Sequence, residues 1–178
     1  MTGIPVARRC ALALAGVACA GVLLRAHVAA ALVTRGDDLL RAGDSGGAVR
    51  SYARAEWLDE RSAVAADRLA FALLLRRGSG DAARAFAAAG AALSTHPGEP
   101  ALLADRGFAA LRLGRWRSAE RDFAAAAPAA RDPRYAHLAA RMALRRGDAS
   151  AARRHLDDAL AIDRGYAPAR ALMARLGP

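Results

Sequence analysis

Two hydrophobic rhythms divide the chain. From Cys10 to Leu24 (CALALAGVACAGVLL) fifteen consecutive residues carry no charged or strongly polar group. From about residue 29 onward the apolar positions recur instead at helical spacing, interrupted by charges and by regularly placed glycines. The tetrad Leu-Arg-x-Gly occurs four times, as Leu40-Arg41-Ala42-Gly43, Leu75-Arg76-Arg77-Gly78, Leu111-Arg112-Leu113-Gly114 and Leu144-Arg145-Arg146-Gly147. Behind each tetrad stands a triplet of Ala, then an aromatic or Leu four residues on, then Ala three further. The triplets are Ala48-Tyr52-Ala55, Ala82-Phe86-Ala89, Ala119-Phe123-Ala126 and Ala152-Leu156-Ala159, and all three columns advance by 34, 37 and 33 residues. Three columns sharing the same steps mark an internal repeat rather than a chance of alanine-rich composition.

Each unit reads as a helix, a turn and a second helix. The tetrad ends the first helix, with Gly in the C′ conformation and Arg favoured by the helix dipole. A short polar link such as Asp44-Ser45 or Asp148 follows. The second helix then sets Ala, aromatic and Ala on one face, where small alanines allow close approach and the aromatic fills the gap. Leu58-Asp59-Glu60 and Ile162-Asp163-Arg164 end that helix in two units; Pro97 and the segment Pro128-Ala-Ala-Arg-Asp-Pro133 break it in the others.

A unit of about 34 residues with Gly before its turn and Ala-x3-aromatic-x2-Ala in its second helix resembles the tetratricopeptide repeat family. Gly36 and Gly107 also fit the family's small residue in the middle of the first helix. Arg35 and Arg106 depart from its usual Leu, Glu60 and Arg164 replace its terminal Pro, and the second-to-third junction, Ser94 to Pro100, carries three extra residues. The resemblance implies an all-α fold: an α-solenoid of about four helix-turn-helix repeats plus a C-terminal cap helix, preceded by an N-terminal hydrophobic helix. The domains are then 1–28, a signal-anchor or transmembrane segment, and 29–178, with units at about 29–62, 63–99, 100–132 and 133–166 and a cap helix at 167–176. It further implies a concave groove lined by first helices. The groove positions are Ala30, Val33, Asp37 and Arg41 in the first unit, and Ala65, Arg68, Ala72 and Arg76 in the second. They are Ala101, Ala104, Phe108 and Arg112 in the third, and Arg134, His137, Arg141 and Arg145 in the fourth.

Arg8 and Arg9 before the apolar stretch make an export or insertion signal. Fifteen helical residues reach only about 22 Å, short of a hydrocarbon core of roughly 30 Å, so a spanning helix has to continue through Arg25 and His27 to Val33. Cleavage near Ala18-Cys19-Ala20 is the other fate, a non-membrane helix a third. Lipidation at Cys19 matches poorly, because Gly16 stands where a leucine belongs. Cys10 and Cys19 point to opposite sides of a helix and do not bridge each other. Gly16 and Ala20 form a small-xxx-small pair suited to helix packing, against the plainer reading of an unpaired alanine-rich helix. Arg8 and Arg9 favour a single-pass inner-membrane protein with its repeats in the periplasm, the alternative being an exported periplasmic protein. Arg25, Arg35 and Arg41 oppose that orientation, with Asp37 and Asp38 beside them.

Composition adds a charge question. Hydrophobic residues make up 54% and aromatics only 5%, which is too apolar for a disordered basic tail and too poor in β-formers for a sheet protein. The net charge is +10; all 27 cations are arginine, and Lys, Asn and Gln are absent, as in a GC-rich coding sequence. Residues 29–99 balance nine Arg against nine acids, whereas 100–178 set fifteen against eight, so the excess sits in the second half. Arg76, Phe108, Arg112, Arg134, His137, Arg141 and Arg145 are therefore the expected partner-binding residues, and an acidic protein segment the expected partner. The family's carboxylate clamp is not carried over, since it uses Lys and Asn. Helix-end arginines are favourable in themselves by about 0.3–1 kcal/mol, and Phe108 also suits simple packing, so a solvated face accounts for the same residues. Histidines 27, 96, 137 and 155 share no metal-ligand spacing, Asp157 and Asp158 point about 100° apart, and nucleotide-binding and hydrolase motifs are missing. No cofactor, metal, small-molecule substrate or catalytic residue is expected. The expected function is a non-enzymatic scaffold or assembly factor tethered at a bacterial membrane. Nucleic-acid binding and a non-catalytic subunit of a membrane enzyme complex are the alternatives, the first lacking interleaved aromatics for base stacking.

Overall fold

The computed structural model describes residues 6–177, with side chains from Cys19 onward. The readings that rest on the side chains of Arg8, Arg9, Cys10, Gly16 and Ala18, or on Pro178, lie outside the described residues. Nine helices and no strands occur among the described residues: α1 (Val6–Arg41), α2 (Ser45–Leu58), α3 (Ala63–Arg76), α4 (Asp81–Thr95), α5 (Pro100–Arg112), α6 (Trp116–Ala130), α7 (Pro133–Arg145), α8 (Ala149–Ile162) and α9 (Ala167–Leu176).

Local chemistry sets most of the helix boundaries. Asp44, Ser62, Asp132 and Asp148 are N-caps whose side-chain oxygens accept the backbone N–H of Gly47, Ala65, Arg134 and Ala151. Three tetrads end as their sequence implies, with left-handed glycines at Gly43 (φ 83°), Gly114 (φ 69°) and Gly147 (φ 78°). The second does not. There Arg77 takes the left-handed conformation (φ 57°), and Gly78 is freed to donate its N–H to Asp81 Oδ2 at 2.8 Å. Arg76 grips the same carboxylate from Nε at 2.8 Å, and Asp81 is 1% exposed. That guanidinium holds Asp81 below the usual carboxylate range, with the Gly78 N–H adding to it. A buried, doubly satisfied carboxylate offsets the cost of a left-handed arginine, about 1–2 kcal/mol.

Helix α6 ends within the expected Pro128–Pro133 segment, but not at its first proline. Pro128 sits inside the helix, which continues to Ala130; the stop comes from left-handed Arg131 (φ 51°), with the Asp132 N–H returning to the Ala127 carbonyl at 3.1 Å. A proline in the final turn forfeits one hydrogen bond, and the remaining carbonyls are closed by this 6→1 return.

Successive helices pack side by side, and α3 also packs on α5 across the units. The repeat columns form the seams: Ala48, Tyr52 and Ala55, Ala119, Phe123 and Ala126, and Ala152, Leu156 and Ala159 are fully buried. In the second unit only Ala89 is, while Ala82 and Phe86 remain half-exposed. Arg115 covers Phe86 instead, its guanidinium 5.0 Å from the ring centroid. Opposite two of the aromatics the facing helix has no side chain to spare. A Cβ on Gly36 would stand 2.3 Å from the Tyr52 ring, and one on Gly107 2.7 Å from Phe123. Close approach, not a special φ, requires these glycines.

Helix α1 runs unbroken from the apolar stretch into the first unit. Between residues 19 and 28 every side chain is exposed, including Val22, Leu23 and Leu24; Ala29 is the first buried residue among the described side chains. Beyond it α1 is tied to α2, since Ser51 Oγ donates to the Leu32 carbonyl at 2.9 Å and Tyr52 Oη to Asp37 Oδ1 at 2.7 Å. Val33 packs against the main core. Burial and this hydrogen bond push the Tyr52 phenol well above its ordinary value. The segment Cys19–Arg41 has the length and apolarity of a membrane span, but its second half is occupied by contacts with α2, so the extension to Val33 is not free to enter a bilayer.

Candidate partner-binding groove

Helices α3, α5 and α7 leave between them an open pocket of about 530 Å³. Its α3 wall is Asp67, Phe71, Leu74 and Leu75, which recur at i, i+4, i+7 and i+8 and so share one stripe. Its α5 wall is Ala101, Ala104, Asp105, Phe108, Leu111 and Arg112, again one face; Tyr135 of α7 closes the far side. The third unit's four expected groove residues all line this space. The second unit's do not: Ala65 and Ala72 are fully buried, and the open row on α3 is displaced by one residue. Packing of α3 directly on α5 turns the alanine row inward and leaves Phe71 (47% exposed) and Leu75 (55% exposed) facing outward.

The seven residues singled out from the sequence are therefore not one cluster. Arg76 is committed to Asp81 at the α3–α4 turn. Phe108 is half-buried and meets Phe123 edge to face, ring centroids 5.0 Å apart, while its other side lines the pocket. Arg112 lies at the pocket edge with its guanidinium donating to the Leu74 carbonyl of the neighbouring unit. Arg134 folds back on the Asp132 carboxylate, Nε to Oδ2 at 2.8 Å. His137 packs on the Tyr166 ring at 5.9 Å, and burial, with Arg141 adding to it, holds its pKa below the ordinary histidine value. Arg145 lies over the Trp116 ring at 5.1 Å with its exposed guanidinium. Arg141 is exposed, and no acid among the described residues pairs with it. Other arginines of the basic half are paired internally: Arg106 with Asp122 at 2.6 Å and Arg146 with Glu120 at 2.6 Å. Each such pair takes up one acid with one arginine, so the second-half excess rests on the other arginines.

The chemistry that sequence reasoning passed over is acidic. Asp105 is 7% exposed, and its Oδ2 has no hydrogen-bond partner. Burial pushes its carboxyl up to about 8, and the neighbouring charge of Asp67 adds to the shift while Arg68 opposes it. Asp67 is itself raised by burial. Nearby cations are engaged elsewhere, Arg112 on a carbonyl and Arg68 toward Asp37 at 3.5 Å. One signal was present in the sequence: Asp67, Phe71 and Leu75 lie four apart, as do Ala101, Asp105 and Ala109, so each acid stands in an otherwise apolar helical stripe.

The tetratricopeptide repeat family's sequence model matches residues 76–142. Solved structures extend the likeness over most of the fold. MamA is 14% identical with a TM-score of 0.73, covering 84% of this chain and 80% of its own. PilF of Pseudomonas aeruginosa is 19% identical with a TM-score of 0.65, covering 85% and 68%. A tetratricopeptide repeat protein from Parabacteroides merdae is 18% identical with a TM-score of 0.69, covering 84% and 59%. No curated protein matches in sequence. At these identities what is shared is the architecture, a solenoid of tetratricopeptide-type helix-turn-helix repeats.

Proposed function

We propose that this tetratricopeptide-repeat solenoid is a non-enzymatic scaffold or assembly factor, tethered to a bacterial membrane by the first part of α1, that holds a partner protein's segment in its concave groove. The observation that carries the reading is the pocket between α3, α5 and α7, open and walled mainly by apolar side chains, with Arg141 and Arg145 exposed on α7, whose Tyr135 closes one side of it. An open, mainly apolar pocket with a few charged groups suits a peptide rather than a reaction, because binding energy comes from burial and orientation from a few charges. The tether is supported by the exposed apolar run at Val22, Leu23 and Leu24. Between Arg9 and Ala29, helix α1 reaches roughly 28 Å at about 1.5 Å per residue, close to the thickness of a hydrocarbon core, with Arg25 and His27 toward its outer end. With Arg8 and Arg9 retained inside, the repeats lie in the periplasm.

An acidic stretch of the partner fits against Arg141 and Arg145. The test is cross-linking in native membranes followed by partner identification, repeated at raised salt and with Arg141→Glu. Capture is expected to weaken steeply with salt and at least about fivefold on charge reversal. Capture indifferent to both contradicts the electrostatic reading.

A further inference from the structure

The pocket is a built site whose polar element has no internal use. Asp105 is more than nine-tenths buried, yet its Oδ2 is unpartnered, although a buried oxygen without a hydrogen bond is costly and usually finds one. A second carboxylate, Asp67, lines the same space from the opposite helix. The groups facing Asp105 are Asp67 and Arg68 from α3, Tyr135 from α7, and Arg112 on its own helix. Arg68 opposes the charge of both acids but pairs with Asp37 at 3.5 Å, and Arg112 donates to the Leu74 carbonyl, so neither forms an ion pair with Asp67 or Asp105. Around them stand Phe71, Leu75 and Phe108, an apolar rim open to solvent.

We propose that this pocket recognises a lysine side chain flanked by aliphatic residues on the partner segment, its ammonium against Asp105 and Asp67 and its neighbours against Phe71, Leu75 and Phe108. Charge complementarity selects that occupant. An incoming carboxylate or phosphate meets two acids and a cation already engaged, whereas an ammonium donates to the Asp105 carboxyl as that group gives up its proton and is attracted to Asp67 as well. Lysine's long apolar stem also matches a pocket with its acid at the floor and apolar walls above. The inference rests on the groove being the partner-binding face, and makes the bound segment mixed in charge, its lysine in the pocket and any acidic stretch beyond it at Arg141. Because Asp105 is protonated near neutral pH, binding an ammonium expels a proton.

The test uses the full chain in detergent and three blocked pentapeptides, Ala-Leu-Lys-Leu-Ala and its counterparts with norleucine or glutamate at the centre. Isothermal titration calorimetry at about pH 7, in two buffers of different ionisation enthalpy, reads affinity and proton release together. The lysine peptide is expected to bind roughly tenfold or more tightly than the norleucine peptide and to release protons, with the glutamate peptide weakest. Asp105→Asn should bring the lysine peptide to the norleucine level, abolish the proton release and leave the norleucine peptide unchanged. Leu75→Ser, at an exposed rim position, should weaken both without disturbing the fold. Equal binding of lysine and norleucine peptides, an unaffected Asp105→Asn, or no binding by any peptide overturns the proposal. Partner cross-links from the groove that survive Asp105→Asn sink the lysine alone; absence of such cross-links in the native chain sinks the groove itself.

Discussion

At the scale of single residues the most consequential side chain is Asp105. Folding carries its carboxyl from near 4 to about 8, so it keeps a proton in the native chain that the unfolded chain has lost. Between those values the unfolded state binds fewer protons, and stability falls as pH rises, by at most about 1.4 kcal/mol per pH unit from this one group. Urea unfolding of the full chain at about pH 5 and about pH 8 should show that decline, and Asp105→Asn should make it markedly shallower. A native chain whose stability rises over the window contradicts the buried neutral acid. Little of this was legible from residue identity. The sequence displays arginines, and cationic chemistry was read from them. Asp105 shares its pocket with Tyr135, thirty residues away on α7, and the quieting of Arg106 and Arg146 depends on Asp122 and Glu120 on another helix. Such pairings are tertiary facts that a one-dimensional charge count cannot contain.

The helices and their seams were far more legible, because the signals there are local. Caps, tetrads and alanine columns each constrain a few neighbouring residues, and the structure uses most of them as written. Where it departs, a specific contact wins over the pattern. Asp81 draws Gly78 out of its C′ role, and Arg115 rather than a helix covers Phe86. The α3 groove row is shifted by one residue because α3 leans on α5. The seam at Gly107 gives the sharpest prediction. Alanine there raises intrinsic helix propensity by about 1 kcal/mol, yet its Cβ collides with the buried Phe123 ring at 2.7 Å. Gly107→Ala is therefore expected to destabilise the chain by roughly 1–3 kcal/mol in denaturant unfolding, overpacking outweighing propensity. A variant at least as stable as the native chain shows that α5 and α6 are not held at this distance.

For the whole molecule, the continuous α1 is the organising feature. Its residues 19–28 are exposed, its second part is the first helix of the array, and the helix runs unbroken between the two. On the proposed reading, a tether built this way would fix the solenoid close to the bilayer and restrict which partners reach its groove. With the N-terminus inside, protease added to intact spheroplasts should degrade the repeats, and protected repeats would return cytoplasmic partners, nucleic acid included, to contention. The central claim, that a membrane-held solenoid works through its concave face, is tested most directly by site-specific photo-cross-linking in native membranes. One photoreactive residue replaces Leu75 in the groove, and another replaces the exposed Arg121 of α6, a second helix of its unit. A groove that holds a partner yields a discrete adduct from position 75 and none from position 121. Adducts from position 121 alone, or from neither, would contradict it.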